Sequence, residues 1–216
     1  MKNLLAILLL LPSILLAGTG RYVARTNGGT GAGTVADPWT LEYALHSAYD
    51  EGKLFAGDTV YCMDSGRYTY HEIMIDAWGT ADHPIIFKPL NNKRVIWNTD
   101  TTYVRSGHYT FAYLTSTCDY LWFWGIEFAC MDTRDRACEA GGSWPPGTVD
   151  IGSSIDHAQG NPRYDIHGIK FINCIVHDIS QGISKWCDLK GFEYYGNLLY
   201  NLGWDDVPDT SHFVRG

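Results

Sequence analysis

The chain has 216 residues, of which 45% are hydrophobic, 14% aromatic and only 19% charged, a balance that excludes a disordered or acidic-tail protein. Sixteen Lys and Arg against 24 Asp and Glu give a formal charge of −8. No basic run of the kind that tracks phosphates is present, so nucleic acid is not an expected partner.

Residues 1–20, MKNLLAILLLLPSILLAGTG, join one cation, Lys2, to an apolar run and then to small residues from Ala17 onward. This is the pattern of a secretory signal peptide, and cleavage after Ala17 would remove Lys2 and leave the mature chain more negative. The run is shorter than the ~20 apolar residues of a membrane span and contains Pro12, so no span is expected after cleavage. A secreted, periplasmic or cell-surface location follows. Residues 21–57 read as an N-terminal cap. Thr40 can cap a short helix whose Leu41, Ala44, Leu45 and Ala48 share one face, and such a helix would cover the open end of a stack of strands. From residue 58 to 216 strand signals dominate, first at Asp58–Cys62, Glu72–Ile75, Pro84–Lys88 and Arg94–Trp97. Turns are expected between them at Gly66-Arg-Tyr, Trp78-Gly-Thr-Ala-Asp and Lys88-Pro-Leu-Asn-Asn.

Three later segments, 121–128, 169–176 and 192–199, repeat one pattern: alternating apolar residues, a corner at Gly125, Asn173 or Gly196, then a second short strand. The second and third lie 23 residues apart and the first and second 48, about two such units. One coil of a parallel β-helix takes roughly this many residues, and its corner needs a residue that tolerates a left-handed backbone. Alternation points Leu121, Phe123, Ile169, Phe171, Phe192 and Tyr194 inward and Trp122, Trp124, Lys170, Ile172, Glu193 and Tyr195 outward.

Gly-Thr-Gly-Ala-Gly-Thr at 29–34, Asp37-Pro-Trp-Thr-Leu-Glu-Tyr-Ala-Leu, Gly57-Asp-Thr-Val-Tyr, Ser65-Gly-Arg-Tyr and Gly79-Thr-Ala-Asp-His-Pro-Ile-Ile-Phe-Lys resemble the cap and first coil of secreted proteins of the pectin-lyase-like superfamily. Asn173-Cys-Ile-Val-His-Asp and Gly196-Asn-Leu-Leu-Tyr-Asn are similar to that family's repeating coils. The resemblance implies an all-β, right-handed parallel β-helix, a solenoid with a short N-terminal capping helix, and leaves the insert at 131–162 outside the pattern. It implies binding or cleavage of acidic or neutral polysaccharide in a groove along one sheet, by lyase or glycoside hydrolase chemistry. Catalytic members have more coils than can be counted here and no closing cap follows Ser211-His-Phe-Val-Arg-Gly216, so a longer parent chain is expected.

Lys170 and Glu193 fall at equivalent outward positions on adjacent coils, either as a base with its orienting partner or as a cross-strand ion pair. With His177, Asp178, Asp205 and Asp206 they form the candidate catalytic pool. Trp122, Trp124 and Tyr195 offer flat platforms for sugar rings, unless the insert covers them, and His212 and Arg215 complete the candidate substrate contacts. The insert carries Asp132, Asp135, Glu139, Asp150, Asp156 and His157, which makes Ca²⁺ a possible ligand without the alternating spacing of a calcium loop, and no other cofactor is implied. Ser154-Ile-Asp-His157 resembles an element near the pectate lyase site, without the accompanying Arg-x-Pro-x-x-Arg. Six cysteines suit an oxidising compartment; Cys130 and Cys138 are the local disulfide candidate, while Cys62 and Cys174 also suit a buried, unpaired state. A noncatalytic glycan-binding or adhesive surface protein is the alternative to an enzyme.

Overall fold

The structure is a computed structural model, and it describes residues 18–70, 73–99, 110–114, 118–129, 148–151, 166–179, 182–185 and 189–202. Its strands recur in a fixed order on three principal sheets. The six-stranded sheet holds β1 (Gly20–Val23), β2 (Thr59–Cys62), β5 (Ile85–Pro89), β8 (Leu121–Trp124), β12 (Lys170–Ile172) and β16 (Glu193–Tyr195). From β2 onward each is followed by a strand of the five-stranded sheet: β3 (Gly66–Tyr70), β6 (Val95–Thr99), β9 (Glu127–Ala129), β13 (Ile175–His177) and β17 (Leu198–Tyr200). The four-stranded sheet takes β4 (Ile73–Ile75), β7 (Thr110–Leu114), β10 (Thr148–Ile151) and β14 (Gly182–Lys185). Two short strands, β11 (Ile166–His167) and β15 (Leu189–Lys190), pair just ahead of β12 and β16. The ladders are parallel. Parallel neighbours need a long return path, and here that path runs through the other sheets, an arrangement that fits a parallel β-helix.

Register places like residues over one another in the core. Val60, Phe87, Phe123 and Phe171 form one inward ladder, all fully buried. Strand spacing of ~4.8 Å is close to ring-stacking distance. Phe87 and Phe123 accordingly stack at 5.5 Å and Phe123 and Phe171 at 5.0 Å, while Trp97 and Phe128 meet Phe123 edge-on from the five-stranded sheet. The corners expected at Gly125, Asn173 and Gly196 have φ of 67°, 51° and 65°. A Cβ on Gly125 would meet only the Pro89 ring, at 3.7 Å, so the cost of a side chain there is one of backbone conformation. Gly125→Val should therefore lose about 1–2 kcal/mol in urea unfolding, whereas Gly125→Asn, the solution used at Asn173, should lose much less.

The short helix forms where expected. Thr40 Oγ1 accepts the Tyr43 amide at 3.1 Å, and Leu41, Ala44, Leu45 and Ala48 are buried. Its centre, Tyr43–Ser47, widens to a π-type turn before α1 (Ala48–Asp50), and the Leu45 carbonyl accepts the Asp76 amide beside β4. Five expectations need correction. The 48-residue interval is one coil, because β8 pairs directly with β12, Trp122 opposite Lys170. The inserted segment also contributes β10 to that coil, so it is not wholly outside the stack. Gly66-Arg-Tyr opens β3 instead of forming a turn. The fold also begins within residues 1–20, expected to lie outside it, since the Thr19 amide donates to Asp58 Oδ1 at 2.7 Å and Gly20 pairs with Thr59. Phe192 and Tyr194, expected in the core, are 37% and 42% exposed because no described coil stacks beyond β16 and β17. Cys62, Cys118 and Cys174 are buried, and burial pushes the Cys62 and Cys174 thiols up to about 12 and about 11, which leaves those two unreactive. Cys130 and Cys138 lie outside the described residues.

Candidate functional site

The outer face of the six-stranded sheet carries two rows of side chains. One row contains Thr59, Ile86, Trp122, Lys170 and Glu193, placed side by side by the register of β2, β5, β8, β12 and β16. Lys170 Nζ lies 2.8 Å from Glu193 Oε1 and 4.6 Å from the centre of the Trp122 ring, so the expected cross-strand ion pair forms and gains a cation–π contact. Beside this row Tyr120, in a left-handed conformation (φ 50°), turns the chain into β8, while β11 delivers His167. The two rings stack at 6.2 Å, and Asp119 Oδ1 accepts the His167 amide at 2.6 Å and lies 3.3 Å from Nδ1. Gly168 is required next to them: a Cβ there would come within 2.3 Å of Tyr120 Cδ1.

Tyr120, Trp122, His167, Lys170, Lys190 and Glu193 line a cavity of about 360 Å³. That volume lies at the small end of ligand pockets. A carboxylate only accepts hydrogen bonds, so in the neutral imidazole the Asp119 contact keeps the proton on His167 Nδ1 and leaves Nε2 as the acceptor nitrogen, the arrangement a general base requires. Lys170 already has a carboxylate and an indole face as partners, which suits it to a charge contact with a ligand more than to proton abstraction.

His177 and Asp178 are elsewhere, on the outer side of the five-stranded sheet. His177 Nε2 lies 2.8 Å from Glu127 Oε1, and its Nδ1 lies 2.6 Å from Asp178 Oδ2. Arg94 grips the same Glu127 carboxylate from Nε at 2.7 Å and Nη2 at 2.6 Å, and Tyr200 stacks on the imidazole at 4.6 Å. His177 reaches diagonally to Glu127 across Ala129, its register partner, whose small side chain leaves the room. Burial pushes the Glu127 carboxyl up, but hydrogen bonds from Arg94 and His177 outweigh it and hold the group below the usual carboxylate range. The buried Glu127 carboxylate is thereby paired, on one side with the exposed Arg94 and on the other with the buried His177.

The candidate residues thus separate onto two sheets. Trp122, Lys170 and Glu193 share the cavity, Trp124 and Tyr195 lie in the neighbouring outward row, and His177 with Asp178 belongs to another face. Asp205, Asp206, His212 and Arg215 lie outside the described residues, as does the acidic insert apart from the backbone of Thr148–Ile151. Tyr120, His167, Lys190 and Glu127 were not singled out from sequence. For His167 the available signal was Gly168, an Asp119-Tyr120 and a His167-Gly168 each standing just before a repeat segment.

The parallel sheets and fixed strand order define a protein whose fold fits a parallel β-helix. No family model matches the chain, and no curated protein does. Among solved structures it is similar to a GH136 lacto-N-biosidase from Eubacterium ramulus, with a TM-score of 0.61 and 17% identity over 85% of this chain and 34% of that one. The native form of that enzyme gives 0.50 and 12%, over 83% and 41%. Pectate lyase Pel9A gives 0.50 and 14%, over 84% and 47%. The chain therefore spans less than half the length of each, and at these identities the likeness is one of fold.

Proposed function

We propose that this chain is part of an exported carbohydrate-active protein, a right-handed β-helical solenoid acting as a glycoside hydrolase or polysaccharide lyase, with its glycan held against the outer face of the six-stranded sheet. The observation that carries this reading is the cavity itself, which joins an Asp119-oriented imidazole, a lysine–carboxylate pair and an indole face on rigid strands. His167 is the proton-transferring group, Trp122 the ring platform, and Lys170 and Lys190 the contacts for polar or acidic sugar substituents. The neighbours, a biosidase and a pectate lyase by name, support a glycan as ligand without choosing the reaction. The acidic insert remains the place for Ca²⁺, and the N-terminal leader provides for secretion.

The test is incubation of the protein, with and without EDTA, with uronate-containing and neutral polysaccharides, following the absorbance of unsaturated products and the release of reducing ends. Replacing His167 by Ala should lower the rate about 10²–10⁴-fold while the circular dichroism stays unchanged. One observation favours binding without catalysis: among the described residues, the carboxylates in and beside the groove are already engaged, Glu193 by Lys170 and Asp119 by His167, whereas hydrolysis needs a carboxyl pair flanking the scissile bond. Silence in both assays with retained glycan binding would select that second reading.

A further inference from the structure

The second outward row of the six-stranded sheet extends well beyond the groove. Tyr22 on β1, Tyr61 on β2 and Lys88 on β5 are in register, as are Ile172 on β12 with Trp124 on β8 and with Tyr195 on β16. Lys88 joins the two halves, since Nζ sits over the Tyr61 ring at 5.7 Å and over the Trp124 ring at 5.6 Å. Tyr22 and Tyr61 stack at 5.6 Å. Trp124 is 42% exposed and Tyr195 71%, so these rings are open to a ligand. Six strands at ~4.8 Å spacing give the row a span of about 24 Å, perpendicular to the strands.

We infer that this row is the track for a linear polysaccharide whose long axis crosses the strands, with sugar faces on Trp124 and Tyr195 and with the edges of the Tyr22–Tyr61 stack and the Lys88 ammonium as further contacts. The inference rests on the glycan reading above and adds the direction, the length and the residues. Three features select this occupant. Aromatic rings interrupted by one ammonium suit a ligand with apolar ring faces and hydroxyl edges. The parallel row alongside is mainly polar, with Thr59, Lys170 and Glu193 placed to meet substituents. The track is also continuous with the groove, because Trp122 and Trp124 come from the same strand, as do Lys170 and Ile172.

The experiment uses the full chain and affinity electrophoresis against polygalacturonate, xylan, galactan and hydroxyethyl cellulose. Calorimetry then follows with di- to deca-saccharides cut from whichever polymer the wild type retains. Affinity should rise with oligosaccharide length. Trp124→Ala should weaken polymer binding about tenfold. Tyr22→Ala, at the far end, should weaken the polymer and the longest oligosaccharides but leave the disaccharide unchanged. Phe55→Ala, an exposed ring outside the row, should change nothing. Folded Trp124 and Tyr22 variants that match the wild type at every length would overturn the track while leaving the glycan reading intact. A wild type that binds none of the polymers would remove both. A wild type that dimerises through this face, with variants that are monomeric yet bind glycan normally, would assign the row to a second copy of the chain and also overturn the inference.

Discussion

Phe123→Ala is expected to lower the free energy of unfolding by about 3–5 kcal/mol, measured by urea denaturation followed by far-ultraviolet circular dichroism. Phe123 has no exposed surface, and it is the meeting point of the core: Phe87 and Phe171 stack on its two faces at 5.5 and 5.0 Å, and Trp97 and Phe128 approach edge-on at 5.9 and 6.1 Å. The upper part of the range applies if the cavity stays open, and the fold argues that it does. Each neighbouring ring is held on its own strand by parallel ladders that fix the spacing between coils, so Phe87 and Phe171 cannot close on the gap without pulling β5 and β12 out of register with β8. Phe123→Leu, which keeps most of the volume, should lose less than half as much. A Phe123→Ala loss below about 1 kcal/mol would mean that the coils slide to fill the space, and that the ladder is not the rigid element described.

The local pattern of this fold was legible because each of its determinants is short-range. Inward Phe123 and Phe171, outward Trp122 and Lys170, and the left-handed corners at Gly125 and Asn173 all follow from period-two alternation and from backbone conformations that few residues accept. What was not legible depended on how long each coil is. The 48 residues between Asp119 and His167 read as two units by length, yet the chain returns only once, so no local signal revealed that Trp122 faces Lys170. The same irregularity hid Tyr61 and Lys88 from the aromatic row, since Tyr61 aligns with Lys88 across a coil of a different length from the one joining Lys170 to Glu193. His167 and Glu127 were missed for a related reason: each acquires its role from a partner in the adjacent coil, Asp119 in one case and His177 in the other. The outward residue types were readable, but their convergence required the register.

Removal of the Glu127 carboxylate should produce the largest polar effect. Glu127→Ala would leave His177 buried without its Nε2 partner and Arg94 without its bidentate acceptor. Breaking such a buried pair costs about 3–5 kcal/mol, and the lower end is expected here because the Arg94 side chain is 68% exposed and can turn to water. The Lys170–Glu193 pair is the contrast: it also bridges adjacent strands, but Glu193 is 59% exposed, so Glu193→Ala should cost only about 0–1 kcal/mol. Burial, not geometry, separates the two. The pH dependence gives a second reading. The Glu127 carboxyl is held below its ordinary 4.5, so the folded state binds this proton less readily than the unfolded chain does. Its stabilisation is fully present above about pH 4.5 and is lost as the pH falls through the lower, folded value. Arg94, His177, Asp178 and Tyr200 are the groups around it, and of these only Arg94 and His177 donate to the carboxylate. Glu127→Gln keeps the shape and removes the titration, so its stability should fall less steeply between pH 5 and pH 3 than that of the wild type, with a lower plateau at neutral pH. Equal acid limbs in the two proteins would show that Glu127 is not a source of the acid sensitivity, and that the guanidinium and imidazole do not hold its carboxylate in solution as they do in this fold.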